Sequence, residues 1–246
     1  MDKPFSQACV NNRDPILEVL QRVFAHSQNI LEIGSGTGQH AVWFAGNMPH
    51  LRWQTSDQPM YHAGINQWIS QHPATNLVRP VALDVLADTW PSSNYDGVFS
   101  ANTAHIMPWE AVVAMFAGIR DHLLINGFFC LYGPMNYNGA LGPPSNVQFD
   151  QMLRQQFPHQ GIREFGEVNQ LASSAGLKLV EDNAMPANNR LLVWQKVGMT
   201  DELYVSTPEV GNQGQEQKTR PSLLCGCLET TRNTWRALAV WPEYVA

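Results

Sequence analysis

Positive charge is scarce in this chain. Its 246 residues carry 15 Lys and Arg against 21 Asp and Glu, a formal net charge of −6, so no overall positive field exists to hold a nucleic acid. Cysteine is scarce as well. Cys9, Cys130, Cys225 and Cys227 lack the density of a disulfide scaffold, and the close pair is CxC rather than CxxC with distant partners. That usage fits a reducing, cytoplasmic setting. No apolar run approaches the roughly 18 residues of a membrane span, and the opening MDKPFSQACVNNRDP has no long apolar region behind a basic one. Neither a membrane partner nor a signal peptide is expected. No His/Cys/Asp cluster stands at ligand spacing, which argues against a metal site and a metal-assisted mechanism.

What the chain does have is apolar residues, 44% of the total, enough for a sizeable core, in a length that suits one α/β domain with an appendage. PILEVLQRVFAH, from Pro15 to His26, has helical spacing with the proline suited to a first turn. Strands and helices then alternate: NILEIG, GQHAVWFAGNM, LRWQTSD, GINQWISQH, VRPVALDV, YDGVFSAN, WEAVVAMFAGIRDHLL and GFFCLYGP. Such alternation predicts a parallel sheet with helices on both faces. MNYNGALGPPSN, Met135 to Asn146, is rich in Gly, Pro and Asn and predicts a loop long enough to act as a lid. VQFDQMLRQQF and EFGEVNQLASSAG read as helices. LKLVEDNAM and NRLLVWQKV, joined through PANN, predict an antiparallel hairpin at the sheet edge. Residues 1–197 therefore form the domain, and 198–246 an extension that is polar and partly flexible at first, then apolar again from LLCGCLETT. That last part can dock on the domain, pair with another subunit or remain poorly ordered.

The stretch ILEIGSGTGQH, Ile30 to His40, turns from a buried strand into three glycines that let the backbone approach a ligand, with a helix N-terminus behind them. A dinucleotide fingerprint would need glycines at 34, 36 and 39, but position 39 is Gln. The match is to GxGxG preceded by Glu32. This favours S-adenosylmethionine over a nicotinamide cofactor, because a sulfonium ligand has no pyrophosphate to grip. Asp57 closes the next strand, where a carboxylate can accept both ribose hydroxyls. Asp84, in LDV, can accept from an adenine amino group while Val85 offers its N–H. For both acids an ordinary capping role stays open.

The fourth strand ends in SANTAHIMPW. Asn102 can orient cofactor or substrate through its amide, and His105, with an ordinary pKa of about 6.5, is the candidate general base; the alternative is a histidine satisfied within a turn. Trp109 either walls a substrate pocket or belongs to the core. Tyr132, in LYGP, can orient a substrate through its hydroxyl. His40 can touch cofactor or substrate or simply lie on the helix surface, and Asn188 and Asn189 in PANN reach the pocket or shape a turn.

LEIGSGTG resembles motif I of the class I S-adenosylmethionine-dependent methyltransferases. With NNRDPILEVL, LRWQTSD, LDV, ANTAHIMPW, LYGP, PSNVQFDQMLR, GIRE and MPANN, the run from Arg13 to Lys196 is similar to the methyltransferase-like 26 group, long catalogued as a domain of unknown function. The resemblance implies a Rossmann-like α/β fold with a seven-stranded sheet, mostly parallel with the last strand antiparallel, and S-adenosylmethionine as cofactor. It implies Glu32, Gly34, Gly36 and Gly38 on the methionine and ribose side, Asp57 on the ribose, and Asp84 and Val85 on adenine. Arg13, whose guanidinium matches a carboxylate bidentately, is set against the methionine carboxylate, with a plain surface arginine as the alternative. His105 and Tyr132 are the catalytic candidates; His40, Trp109 and Asn188 are the substrate-binding ones.

The expected activity is methyl transfer to oxygen or nitrogen of a small molecule. ANTAHI stands where nucleobase-amine and glutamine-amide methylases carry an Asn/Asp-Pro-Pro-Tyr type of sequence, which speaks against a nucleic-acid substrate. The rivals are an NAD(P)-dependent oxidoreductase and a non-catalytic S-adenosylmethionine-binding or scaffold protein.

Overall fold

A computed structural model describes residues 3–198 except Pro73, Asp88, Ser92 and Ser93. The elements run α1 (Gln7–Val23), β1 (Asn29–Ile33), α2 (Gln39–Asn47), β2 (Arg52–Asp57), α3 (His62–Ser70), β3 (Leu77–Ala82), β4 (Tyr95–Ala101), α4 (Trp109–His122) and β5 (Leu123–Asn136). They continue with α5 (Pro144–Gln156), the two-residue β6 (Arg163–Glu164), α6 (Phe165–Ser174), β7 (Leu177–Met185) and β8 (Asn189–Lys196). The sheet order is β3-β2-β1-β4-β5-β8-β7, with β6 pairing off β5. β1 to β5 are parallel, and β8 is antiparallel to both β5 and β7. The chain steps from β1 outward to β3 and then returns to the other side of β1 as β4. That reversal opens a crevice at the C-terminal ends of β1 and β4, where open α/β sheets take their ligands.

Alternation along the strands divides the core between the two faces. Leu31, Val98, Phe129, Leu131 and Trp194 point to α4 and α6. Their neighbours Ile30, Phe99, Cys130, Tyr132 and Val193 point to α1 and α2, against Ile16, Leu20 and Phe44.

Several boundaries differ from the expectation, and the third strand ends at Ala82 rather than reaching Asp84 and Val85. Helix α1 begins at Gln7, so Pro15 lies inside it rather than at its start, and Arg13 is on the helix rather than ahead of it. The proline removes one backbone donor, but side-chain contacts to α2 hold the first half of the helix. Leu123 and Leu124 open β5 instead of closing α4. The expected loop after Pro134 is shorter at both ends: Met135 and Asn136 pair with β6, Tyr137 bridges to Ala140, and α5 starts at Pro144, a residue suited to a first helical position. Only residues 137–143 lie between the elements. The C-terminal extension, with Cys225 and Cys227, lies outside the described residues. Among those described, no helix is long and apolar enough to cross a membrane.

Candidate cofactor and active site

The turn after β1 is built from backbone. Gly34, Gly36 and Gly38 have φ of +73°, +56° and +90°, in the left-handed region open to glycine. At Gly34 a Cβ would also lie 2.6 Å from Thr103 Cγ2. The amides of Gly34 and Ser35 donate to the Ser56 carbonyl at 3.1 and 2.9 Å, and Gly36 N donates to Asp57 Oδ2 at 2.8 Å. Asp57 Oδ1 accepts from Gln58 N at 2.7 Å. Burial raises the Asp57 carboxyl, and these two amides pull it back. Beneath the turn, Glu32 is 2% exposed and its Oε2 accepts from Ser35 Oγ at 2.8 Å and Trp53 Nε1 at 3.2 Å. Burial still pushes it up to about 7.

Asp84 and Val85 lie just beyond β3, in a turn where Asp84 Oδ1 accepts from Leu86 N at 3.0 Å; Leu83 N ties it to the Asp57 carbonyl at 3.1 Å. Asn102 follows β4 with φ +57°, its N–H donating to the Tyr132 carbonyl at 2.9 Å. Ser100 Oγ donates to the Ile33 carbonyl at 2.8 Å, fastening the ends of β4 and β1 together. The structure thus brings the glycine turn, Asp57, Asp84, Val85 and Asn102 to one sheet edge.

The two catalytic candidates stand on opposite faces of β5. Tyr132 belongs to the α1/α2 face, where burial, against the Asn12 and Asn189 amides nearby, raises it to about 12. His40 joins it through Asn12, whose Oδ1 is 2.7 Å from His40 Nε2. Burial and the Arg13 charge lower the His40 imidazole to about 4. Asn12 escaped the reading of the sequence, although its four-residue spacing with Ile16 and Leu20, the other buried residues of α1, is a signal once the helix start is known.

His105 lies across the sheet: the Cβ that Gly133 lacks would come 3.5 Å from its Nδ1, on the side away from Tyr132. It is 6% exposed, packs against Phe149 at 5.4 Å, and has no side-chain hydrogen bond among the described residues. Burial and then Arg163 lower it to about 4. Arg163, another residue the sequence did not announce, donates to the carbonyls of Ala104 at 2.8 Å, His159 at 3.1 Å and Met107, bracing the segment that holds His105.

Trp109 opens α4, packs on the α4/α6 core and has the Arg163 guanidinium 5.9 Å from its ring. Asn188, exposed in the β7–β8 turn, reaches α5 through Ser145 Oγ at 3.2 Å. The Arg13 guanidinium lies 3.7 Å over Trp43. A cleft of about 390 Å³, lined by Arg22, Asp96, Ile125 and Glu181 among others, lies at the opposite end of β4 and β5 and holds none of these groups. Among the described residues, no group of three or more His, Cys, Asp or Glu can hold a metal ion.

A family model described as a protein of unknown function, DUF938, matches residues 3–196. Among solved structures, the fold is similar to an O-methyltransferase family protein from Burkholderia thailandensis (TM-score 0.69, 16% identity, covering 78% of this chain and 58% of that one). It is similar to SibL, an S-adenosylmethionine-dependent methyltransferase in its apo form (0.67, 19%, 78% and 56%). It is also similar to an O-methyltransferase family 2 protein from Planctomyces limnophilus in complex with apigenin (0.67, 17%, 77% and 58%). The chain spans less than two thirds of the length of each. At these identities the likeness is one of fold, the Rossmann-like sheet of methyltransferases.

Proposed function

The chain belongs to the DUF938 family of proteins of unknown function, and from its fold and site we propose that it transfers the methyl group of S-adenosylmethionine to an oxygen or nitrogen of a small molecule. One observation carries this choice over a nicotinamide-dependent oxidoreductase: the Gly36 amide donates to Asp57 Oδ2 at 2.8 Å. A pyrophosphate gripped at such a turn needs free amides. Here Gly34, Ser35 and Gly36 are satisfied within the protein, and a carboxylate faces the turn. A ribose presenting two hydroxyl donors suits that carboxylate, while the engaged amides leave no donor at Gly34, Ser35 or Gly36 for a pyrophosphate.

S-Adenosylmethionine supplies an activated methyl group, so the protein's task is alignment and exclusion of water. In this reading Asp57 accepts the ribose hydroxyls, and Asp84 with Val85 takes adenine. Glu32 and the glycines line the methionine and ribose side, Arg13 supplies positive charge for the methionine carboxylate, and Asn102 orients the centre. His105, neutral and with no side-chain hydrogen bond among the described residues, accepts the proton of an arriving hydroxyl or amine, while Tyr132 stays protonated as a donor. His40, Trp109 and Asn188 contribute to the substrate side. The methyltransferase-like 26 resemblance and a cytoplasmic setting are parts of the same proposal.

Calorimetry tests it. The expected result is binding of S-adenosylmethionine and of S-adenosylhomocysteine without binding of NADH, with Asp57→Ala weakening the former by about 1–3 kcal/mol. Binding of NADH in preference, or unchanged affinity in the variant, overturns the assignment. Transfer of labelled methyl groups into a metabolite extract would then separate an enzyme from a binding protein.

A further inference from the structure

The cleft of about 390 Å³ at the N-terminal ends of β4 and β5 is built into the fold. Tyr95 pairs with Leu123 and Gly97 with Phe128. Between those pairs β5 sets residues 124–127 opposite Asp96 alone, so the strand bulges. Asn126 takes φ +69°, and a Cβ on Gly127 would lie 2.8 Å from the Asp96 carbonyl oxygen, so the tight return needs a glycine. The bulge displays Leu124 and Ile125, 45% and 60% exposed, and Val180 of β7, 43% exposed, lines the same cleft with buried Val193. Large apolar side chains gathered in water around one concavity mark a surface that something covers.

Position, charge and composition select the occupant. A Cβ on Gly198, two residues past β8, would lie 3.9 Å from Ile125 Cδ1 and Cγ2, so the described chain ends at the rim of the cleft and residues 199–246 continue from there. Arg22 and Glu181 neutralise each other through two hydrogen bonds. Asp96 accepts from the Gln28 and Asn29 amides at 2.8 Å and has no ion pair among the described residues, which leaves the lining negative. Beyond Gly198, the apolar residues 203–205 follow Asp201 and Glu202, and residues 223–228, LLCGCL, carry no charge. Residues 230–241, TTRNTWRALAVW, hold Arg232 and Arg236 without an acid, together with Trp235, Leu238 and Trp241. Trp and Arg are the residue types that anchor buried contacts most strongly. We propose that residues 230–241 fold back on their own domain and place Trp235, Leu238 and Trp241 in this cleft, with the two arginines toward Asp96. Because the segment is tethered, the contact is intramolecular and needs little affinity of its own. The cleft lies at the end of the sheet away from the glycine turn, so a docked segment leaves the ligand edge open, and the inference stands apart from the cofactor reading.

Hydrogen exchange on the full chain tests the contact from both sides. Residues 124–127 lie outside the paired registers of β4 and β8, so a cover over the cleft shows in their exchange. Leu238→Asp should speed exchange at residues 124–127 at least about tenfold, and Ile125→Asp should do the same at residues 230–241, each being the loss of one large apolar burial. Ile125 is 60% exposed, so an aspartate there leaves the domain folded; unchanged exchange in β1 confirms it in both variants. Light scattering should give the mass of a monomer, with exchange at the cleft independent of protein concentration. The absence of either reciprocal effect overturns the proposal, as does a response to Ile125→Asp confined to residues 199–205 or 223–228. Protection that disappears on dilution, together with the mass of a dimer, overturns it in favour of a second copy of the chain.

Discussion

Glu32 shows at one residue how the site is held in tension. It is 2% exposed, and burial raises its carboxyl to about 7 against the hydrogen bonds of Ser35 and Trp53. In an unfolded chain it ionises at about 4.3. Between those values the folded protein keeps a proton that the unfolded chain has released, so this group's contribution to stability falls as pH rises through the window. Glu32→Gln keeps an acceptor for both donors and removes the titration. Urea unfolding should therefore show the variant gaining on the wild type between pH 5 and pH 8; a constant gap would remove Glu32 as the titrating group. Glu32 and Asp57 were legible in the sequence because each stands in or ends a strand beside a glycine turn, a pattern with few solutions. Asn12 was not, since its importance depends on a helix start that tertiary contacts decide.

At the scale of elements, legibility follows how much of each element is fixed locally. β7 begins and ends where the sequence predicts, at Leu177 and Met185, because alternating residues and the PANN turn define it. The first half of α1 is different: Ser6 and Gln39 exchange backbone and side-chain hydrogen bonds, and Arg13 lies over Trp43, partners far away in sequence. Packing likewise decides what one substitution does in two places. In β4, a Cβ on Gly97 would meet Ile30 Cδ1 at 2.4 Å and Phe24 Cε1 at 2.8 Å, both residues fully buried. Gly97→Ala should cost about 1–3 kcal/mol through overpacking. In α2, nothing lies within 4 Å of the corresponding position of Gly46, and Gly46→Ala should gain about 0.5–1 kcal/mol from the helix alone. Paired denaturant titrations check the contrast, and the same sign for both would show that the β4 contacts relax freely.

Across the whole molecule, α/β alternation made the parallel sheet and its closing hairpin readable, but not the distribution of side chains across the finished sheet. His105 and Tyr132 were candidates on the same edge; the strand faces set them on opposite sides of β5, Tyr132 toward α1 and α2 and His105 against Phe149 of α5. A ligand held as proposed would touch the ends of β1, β2, β3 and β4 at once, all of which the unfolded chain lacks, so it would stabilise by mass action. At one hundred times its dissociation constant, S-adenosylhomocysteine should add about 2.7 kcal/mol. For a domain of this size that corresponds to a rise in Tm of about 5–11 °C. NADH at the same concentration should leave Tm unchanged, because the Gly34, Ser35 and Gly36 amides are already engaged within the protein. Hydrogen exchange with S-adenosylhomocysteine bound should slow at the ends of β1, β2 and β4 and in the first half of α1, and not around Ile125 at the other end of the sheet. A Tm raised equally by both ligands, or protection centred on Ile125, would move the binding site away from the glycine turn.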